Sequence, residues 1–433
     1  MLVVFVREVT ERLIFTLDFV FNERKVNYQL TNDPVFFAKT DKLRLNYSTQ
    51  TFENSVTIEP ATVLFDSAVF PYAVVKSDFE GVACLSFDRV TDPLASIFYV
   101  LSRMEEYTNL RRDLHNRFAA KDSILVKFGW LNQAICDRWA IAVLHQIEKI
   151  VGTTFDLPQE ETAIIPTFDI DNTFAFKWKG GWRQLLSKSR DYLRKDTHRL
   201  ELRKAVLSGK EKDPYDTFDY ILQIKKRGFD VRVFWLLGDY ANFDKNISSL
   251  DIRHQALIKR MFNSVPIGLH PSYKSNSATY YLESEKRRLE NIVGESVVCS
   301  RQHFLKINLP TTYQNLLKNG FTDDFSMGFA DEVGFRLGTA RTVRFFDLST
   351  NSLTRLRLHP FAYMDGTVHE YKGWTVAESK TQIEQLYREV KTYGGKFIFI
   401  WHNETIGNNG KWEGWSELLE FTLKLKDGIK TQG

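Results

Sequence analysis

Two aspartates separated by a single residue, in Thr167-Phe168-Asp169-Ile170-Asp171, directly follow an apolar run that reads as a strand. Two carboxylates leaving a strand in this way can share one mouth while meeting different partners. One can hold a metal while the other, partly desolvated, serves as a base. A helix N-cap beside a surface acid would explain the same pair without any chemistry. Four further polar clusters close apolar runs. They are His270 in Gly268-Leu-His-Pro-Ser-Tyr-Lys274, Ser300-Arg301-Gln302-His303, Thr322-Asp323-Asp324-Phe-Ser326, and His402-Asn403-Glu404 after Phe397–Trp401. A neutral imidazole at a strand end is a natural metal ligand, although a lone histidine is more often a hydrogen-bonded structural residue. Each cluster alone is weak. Their order, Asp-x-Asp, His, Arg, Asp and His, each at a strand end, is the stronger signal.

The elements that must position these groups alternate. Apolar runs at Ala163–Phe168, Val231–Leu237, Pro266–Leu269, Ser296–Cys299, Val343–Phe346 and Lys396–Trp401 read as strands. Helices are expected at Thr217–Arg227, Ser284–Val293, Thr312–Lys318 and Val376–Tyr393. That alternation predicts an α/β sheet or barrel with its chemistry at the C-terminal ends of the strands. The turn-rich stretch Gly152–Glu161 marks a boundary, which divides the chain into a smaller α/β domain over 1–155 and the alternating segment over 160–424. In the first part, Val3–Val6, Val26–Leu30, Leu43–Tyr47 and Ser55–Glu59 read as strands. Arg12–Phe21 suits a buried helix or a strand, Asp92-Pro93 caps a helix over Leu94–Arg103, and Leu131–Val151 is an amphipathic helix ending at Gly152.

With 433 residues, 43% hydrophobic and 26% charged, the chain has the balance of a soluble globular protein of two or three domains. A net charge of +4 spread over 58 basic and 54 acidic side chains does not point to nucleic acid. Cys84, Cys136 and Cys299 form no CxxC pair, which argues against a disulfide framework or a cysteine zinc site; Cys84 and Cys136 read as buried hydrophobes. The apolar start, Met1–Val6, is too short for a leader, and no run approaches the roughly 18 apolar residues of a spanning helix. The expected location is the cytoplasm, with no membrane partner.

The succession of clusters from about residue 160 to 424 resembles the polysaccharide deacetylases of carbohydrate esterase family 4, the NodB-homology domain. The resemblance implies a distorted (β/α) barrel holding a divalent metal, usually zinc, through one Asp and two His. It also implies removal of acetyl groups from N-acetylated sugars or related amides and esters, a hydrolase acting on C–N bonds other than peptide bonds. By motif, Asp169 matches the general base and Asp171 the metal carboxylate. His270 matches the first metal histidine, Arg301 the arginine that orients the base, Asp324 the acid that holds that arginine, and His402 the general acid. One position departs: where the family has its second metal histidine, this chain has Lys274, and a protonated lysine cannot ligate zinc. Three alternatives follow. His303 supplies the missing imidazole, or Asp171, His270 and waters hold the ion weakly, or the metal is lost and the barrel is a non-catalytic carbohydrate-binding protein. A glycosidase using Asp169 with Asp324 or Glu404 is a further reading.

The segment from Asp92 through Phe118 resembles the accessory domain that precedes a group of bacterial deacetylase-like proteins. Arg103, Glu105 and Glu106 there read as a solvated helix end, the alternative being that this domain walls one side of the cleft. His198 and His254 are expected to be exposed, and His359 to lie outside the cleft. Trp178, Trp182, Trp374, Trp412 and Trp415, in Gly- and Lys-rich loops, suit either stacking on sugar rings or anchoring loops to the core.

Overall fold

The structure is a computed structural model that describes residues 1–433 except 153, 159–160, 182–188, 190–191, 194–195 and 428–433. Part of the expected boundary and Trp182 therefore lie outside the described residues. The chain opens with Leu2–Val6 (β1), all five side chains buried. It runs parallel to Tyr28–Thr31 (β2) and Leu43–Tyr47 (β3), and β3 runs parallel to Val56–Thr57 (β4). Parallel pairing requires crossovers, supplied by Glu11–Val20 and Pro34–Lys39. Thr10 accepts from the Leu13 amide and starts the first of these helices, which resolves the helix-or-strand choice at Arg12–Phe21. A small antiparallel sheet follows, Val74–Phe79 (β5), Val82–Phe87 (β6) and Val90–Thr91 (β7). Asp92 caps the helix Pro93–Leu101 by accepting from Leu94 and Ala95. Apolar all round and buried at every residue, that helix can only be a central element.

The third and largest sheet has nine strands among the described residues. They are Ala163–Ile170 (β8), Arg232–Trp235 (β9), Ile267–Leu269 (β10), Cys299–Ser300 (β11), Asp323–Asp324 (β12), Val343–Asp347 (β13), Ser352–Leu358 (β14), Tyr363–Met364 (β15) and Lys396–His402 (β16). Their order is β13-β14-β12-β11-β10-β9-β8-β16-β15. Every pairing is parallel except β13 with β14. Ile165, Phe234, Phe325, Phe361, Ile398 and Ile400 fill the inner face, as a distorted (β/α) barrel requires. Because the strands are parallel, the residues that leave β8, β9, β10, β11 and β16 all emerge at one end.

Among the described residues, strand pairing does not close the barrel. Its seam is filled by the stretch after β12, where Gly334 donates to the Ala362 carbonyl at 2.7 Å and Lys396 donates to the Ala340 carbonyl at 2.9 Å. That stretch is also held from the N-terminal third: Phe335 donates to the Leu131 carbonyl at 2.7 Å and Cys136 to the Gly338 carbonyl at 2.9 Å. At Gly334 (φ +124°), a Cβ would stand 2.3 Å from the Leu131 carbonyl oxygen, so only glycine permits the approach.

The seam carries an ion network that corrects the expectation of a solvated helix end. Arg103, Glu105 and Glu106 are 1%, 7% and 2% exposed. Arg103 donates to Glu106 at 2.7 Å, to Glu105 at 2.7 Å and to the Arg336 carbonyl at 2.6 Å. Arg336 grips both Glu106 oxygens at 2.8 and 2.7 Å. Those charges are tolerated in the interior because each is paired and hydrogen-bonded. Glu106→Ala would strand the Arg336 guanidinium, and urea unfolding is expected to show a loss of about 3–5 kcal/mol, with the joint Glu106→Met, Arg336→Met change losing far less. A loss below about 1 kcal/mol for the single variant would contradict this account of the seam.

Candidate functional site

Thr167 and Asp169 stand two apart on β8, with β16 beside them so that His402 is the register partner of Asp169. From β11 across the barrel, Arg301 donates through Nη1 to Asp169 Oδ1 at 2.9 Å and to Thr167 Oγ1 at 2.7 Å, and through Nε to the Phe325 carbonyl at 3.0 Å. The guanidinium is wholly buried and lies over the Phe234 ring. Burial lowers its pKa against the pull of Asp169. One Asp169 oxygen is thus held by Arg301, while Oδ2 faces His270 Nε2 at 3.9 Å.

His270, immediately after β10, points Nδ1 at the Arg301 carbonyl oxygen, 2.6 Å away. A carbonyl only accepts, so Nδ1 carries the proton and Nε2 presents a lone pair in the neutral ring. That lone pair faces Asp171 Oδ1 at 3.2 Å. His303 repeats the arrangement: Nδ1 meets the buried Asp244 carboxylate at 2.9 Å and Nε2 faces Asp171 Oδ2 at 3.3 Å. Acceptors of Asp171, His270 and His303 therefore converge within 4.8 Å of one another, and Asp171 Oδ1 is buried with no hydrogen-bond donor. Such an arrangement calls for a cation. With only protons to answer it, His303 is raised to about 9: burial opposes the charge, but Asp171 and then Asp244 outweigh it. The same imidazoles hold the Asp171 carboxyl well below its usual range in spite of burial. One carboxylate and two imidazoles, each imidazole oriented through its other nitrogen, form a donor set that suits a divalent ion such as zinc.

Lys274 does not enter this group. It is exposed and its Nζ lies over the Tyr281 ring, 4.4 Å from the centroid. His303 occupies the third position because the chain turns sharply just after it, with Phe304 and Leu305 both at positive φ (60° and 52°). His402 faces the centre from the other side, with Nε2 3.8 Å from Asp171 Oδ2 and Nδ1 2.9 Å from Asp365 Oδ1. Asp365 also accepts from the His402 amide at 2.8 Å. Burial opposes protonation of His402, yet Asp365 and the two Asp-x-Asp carboxylates raise it well above 6.5.

Asp244 and Asp365 escaped the sequence reading. Asp365 follows β15, only two residues long, and Asp244 sits in the connection after β9, so neither closes an apolar run long enough to notice. Asp324 requires correction. It is fully buried and binds Ser300 at 2.8 Å, Ser326 at 2.9 Å and Tyr313 at 3.2 Å rather than Arg301, which it reaches only through its charge. Ser326 in turn accepts from the Gln302 amide at 2.8 Å, so Asp324 props the Arg301 loop from beneath, and the glycosidase pair of Asp169 with Asp324 has no cleft to share.

The centre opens into a cavity of about 440 Å³ lined by Asp169, Asp171, His270, His303, His402 and Glu404 among others. Arg117 also lines it, donating to the Phe304 carbonyl at 2.9 Å, so the N-terminal third walls one side. Trp412 lines the cavity while Trp415 is in the core; Trp178 packs on Phe174 and Trp374 against the core. His198 is exposed, but His254 is fully buried between Thr173 and Trp235 at 2.9 Å each, on the inward face of its helix. His359 pairs with Asp323 at 2.7 Å, away from the cleft.

Residues 2–151 match a family of unknown function (DUF7033), a stretch short of half the chain. No curated protein matches the sequence. Among solved structures, one described as a polysaccharide deacetylase from Mycobacterium smegmatis is similar at 15% identity and a TM-score of 0.40, over 64% of this chain and 88% of that one. An allantoinase is similar at 11% identity and a TM-score of 0.36, over 62% and 86%. IcaB from Ammonifex degensii is similar at 14% identity and a TM-score of 0.23, over 39% and 84%. These likenesses are distant, and the chemistry rests on the geometry of the site itself.

Proposed function

We propose that the chain is a metal-dependent hydrolase that removes an acetyl group from an N- or O-acetylated sugar or glycan precursor, with residues 1–155 and 160–424 as its two domains. The observation that carries this reading is the convergence of one ligand atom each from Asp171, His270 and His303 beside an Arg301-held aspartate and an Asp365-held histidine. A divalent ion on those acceptors, zinc by the nature of the ligands, would polarise an acetyl carbonyl and lower the pKa of water. Asp169 accepts the proton of the attacking water, and Arg301 fixes which of its oxygens remains available. His402 donates to the leaving nitrogen, because an amide nitrogen departs only when protonated. Asp365 orients the His402 ring and favours its charged form. The aromatic Trp412 and the aliphatic wall suit a sugar ring.

Two outcomes are expected. Elemental analysis of protein purified without added metal or chelator finds one divalent ion per chain; His270→Ala and His303→Ala each lose it, and Lys274→Ala keeps it. Retention of the ion by His303→Ala would refute its assignment as the third protein ligand. In an acetate-release assay on a panel of free and nucleotide-linked N-acetylated amino sugars, Asp169→Asn and His402→Ala each lower kcat by about 10²–10⁴-fold with metal content unchanged. Full activity in Asp169→Asn, or no acetate release by the metal-loaded wild type from any member, would sink the proposal.

A further inference from the structure

The end of the barrel opposite the candidate centre holds a second cavity, of about 320 Å³, lined by Arg232, Asp323, Arg357, His359 and Lys396 among others. Alternate residues of a strand share a face, and that rule places these side chains. Phe234, Phe325 and Ile398 fill the inner face of the barrel. Arg232, Asp323 and Lys396 stand two residues before them, at the starts of β9, β12 and β16. They therefore take the same face, one layer nearer the N-terminal ends of the strands. Arg357 joins them as the register partner of Asp323. Phe325 lies between the two ends: its ring centroid is 6.0 Å from the Arg301 guanidinium and 5.5 Å from that of Arg232.

The charges around this cavity do not cancel. Asp323 is the one carboxylate in its lining, and its oxygens are engaged by Arg357 at 2.8 Å, His359 at 2.7 Å and Thr322 at 2.7 Å. The neighbouring Asp324 is taken by Ser300, Ser326 and Tyr313. Burial lowers the pKa of His359 against the pull of Asp323, and burial, then Asp323, pushes the Cys299 thiol up to about 11. Both groups are therefore neutral at pH 7. Arg232 uses Nη2 on Asp230, a half-exposed acid outside the lining, at 3.1 Å, while its Nε is buried with no hydrogen-bond acceptor. Lys396 is exposed and forms no ion pair among the described residues. Neutralising Asp323 needs Arg357 alone, so Arg232 and Lys396 bring positive charge beyond it.

We propose that this cavity binds a phosphate-type oxyanion, either free or as the phosphoryl group of a small metabolite. Guanidinium donors match the oxygens of such a group, and an ammonium adds a point charge. A buried donor without an acceptor carries a free-energy cost, and an anion oxygen beside Arg232 Nε would relieve it. The His359 ring is stacked on Phe325 with centroids 4.3 Å apart, and its Nδ1 meets Thr342 Oγ1 at 2.9 Å. So fixed, it holds Asp323 towards Arg357, which keeps that carboxylate from closing on Arg232 or Lys396. The cavity shares no lining residue with the one at the candidate centre. The inference is therefore independent of the proposed hydrolase activity.

Isothermal titration calorimetry with inorganic phosphate, against chloride at equal ionic strength, tests the assignment. Wild type and His270→Ala are both titrated, the second to exclude phosphate held at the proposed metal. Each is expected to bind phosphate with a Kd of about 1 mM or below. Arg232→Gln should weaken binding at least about ten-fold, through loss of a charge-assisted hydrogen bond. Lys396→Gln should weaken it at least about two-fold; it removes only an exposed ammonium, so it decides the matter even if Arg232→Gln fails to fold. Lys411→Gln, in the other cavity, should leave binding unchanged. Tighter binding of glucose 6-phosphate than of phosphate assigns the site to a phosphoryl group on a metabolite, and equal or weaker binding assigns it to the free anion. Absence of saturable binding, binding by wild type but not His270→Ala, undiminished binding by Lys396→Gln, or loss of binding in Lys411→Gln overturns the proposal.

Discussion

A guanidinium with no access to water lies at the centre of this barrel, and its pairing with Asp169 constrains what surrounds it. Arg301 spans from β11 to β8, fastening Thr167, Asp169 and the Phe325 carbonyl around one charge while stacked on Phe234. An unpaired ion there would cost several kcal/mol, so the two strands cannot shift relative to each other without breaking the pair. Its own carbonyl then accepts from His270, which settles the tautomer and leaves the other ring nitrogen bare. A single residue thus sets both the available oxygen of the proposed base and the lone pair of a proposed metal ligand. Asp324, beneath the same loop, contributes as a support.

The N-terminal third is joined to the barrel where strand pairing fails. Backbone bonds to Gly338 and from Phe335, together with the Arg103–Glu106–Arg336 network, hold the stretch that fills the seam. The same third sends Arg117 into the cavity wall. Closing the barrel and shaping the cavity are consequences of one packing arrangement, so a change in the seam would be felt at the mouth.

Much was legible before any coordinates. The helix Val376–Tyr393 and the strand Leu43–Tyr47 appear with the expected bounds, because long periodic or apolar runs leave few alternatives. Asp92-Pro93 announced its helix through capping chemistry that is local in sequence. Short strands were less accessible. Asp323–Asp324 and Tyr363–Met364 are two residues each, and nothing in so short a run separates strand from loop. His254 was misjudged because its polar neighbours conceal that its own face of the helix turns inward, towards Trp235.

Local chemistry in the sequence determined the alternation of strands and helices, the emergence of Asp169, Asp171, His270, Arg301 and His402 at strand ends, and the conflict posed by Lys274. Tertiary structure alone decided how that conflict resolves, by turning Lys274 out towards Tyr281 and bringing His303 to Asp171 with Asp244 behind it. It also decided that Asp365 stands behind His402. The physical reason is the same in each case. Strand ends are set by periodicity along the chain, whereas which imidazole meets which carboxylate depends on barrel register and loop turns, and these are fixed by contacts between residues far apart in sequence, 59 positions for His303 and Asp244 and 132 for Arg301 and Asp169.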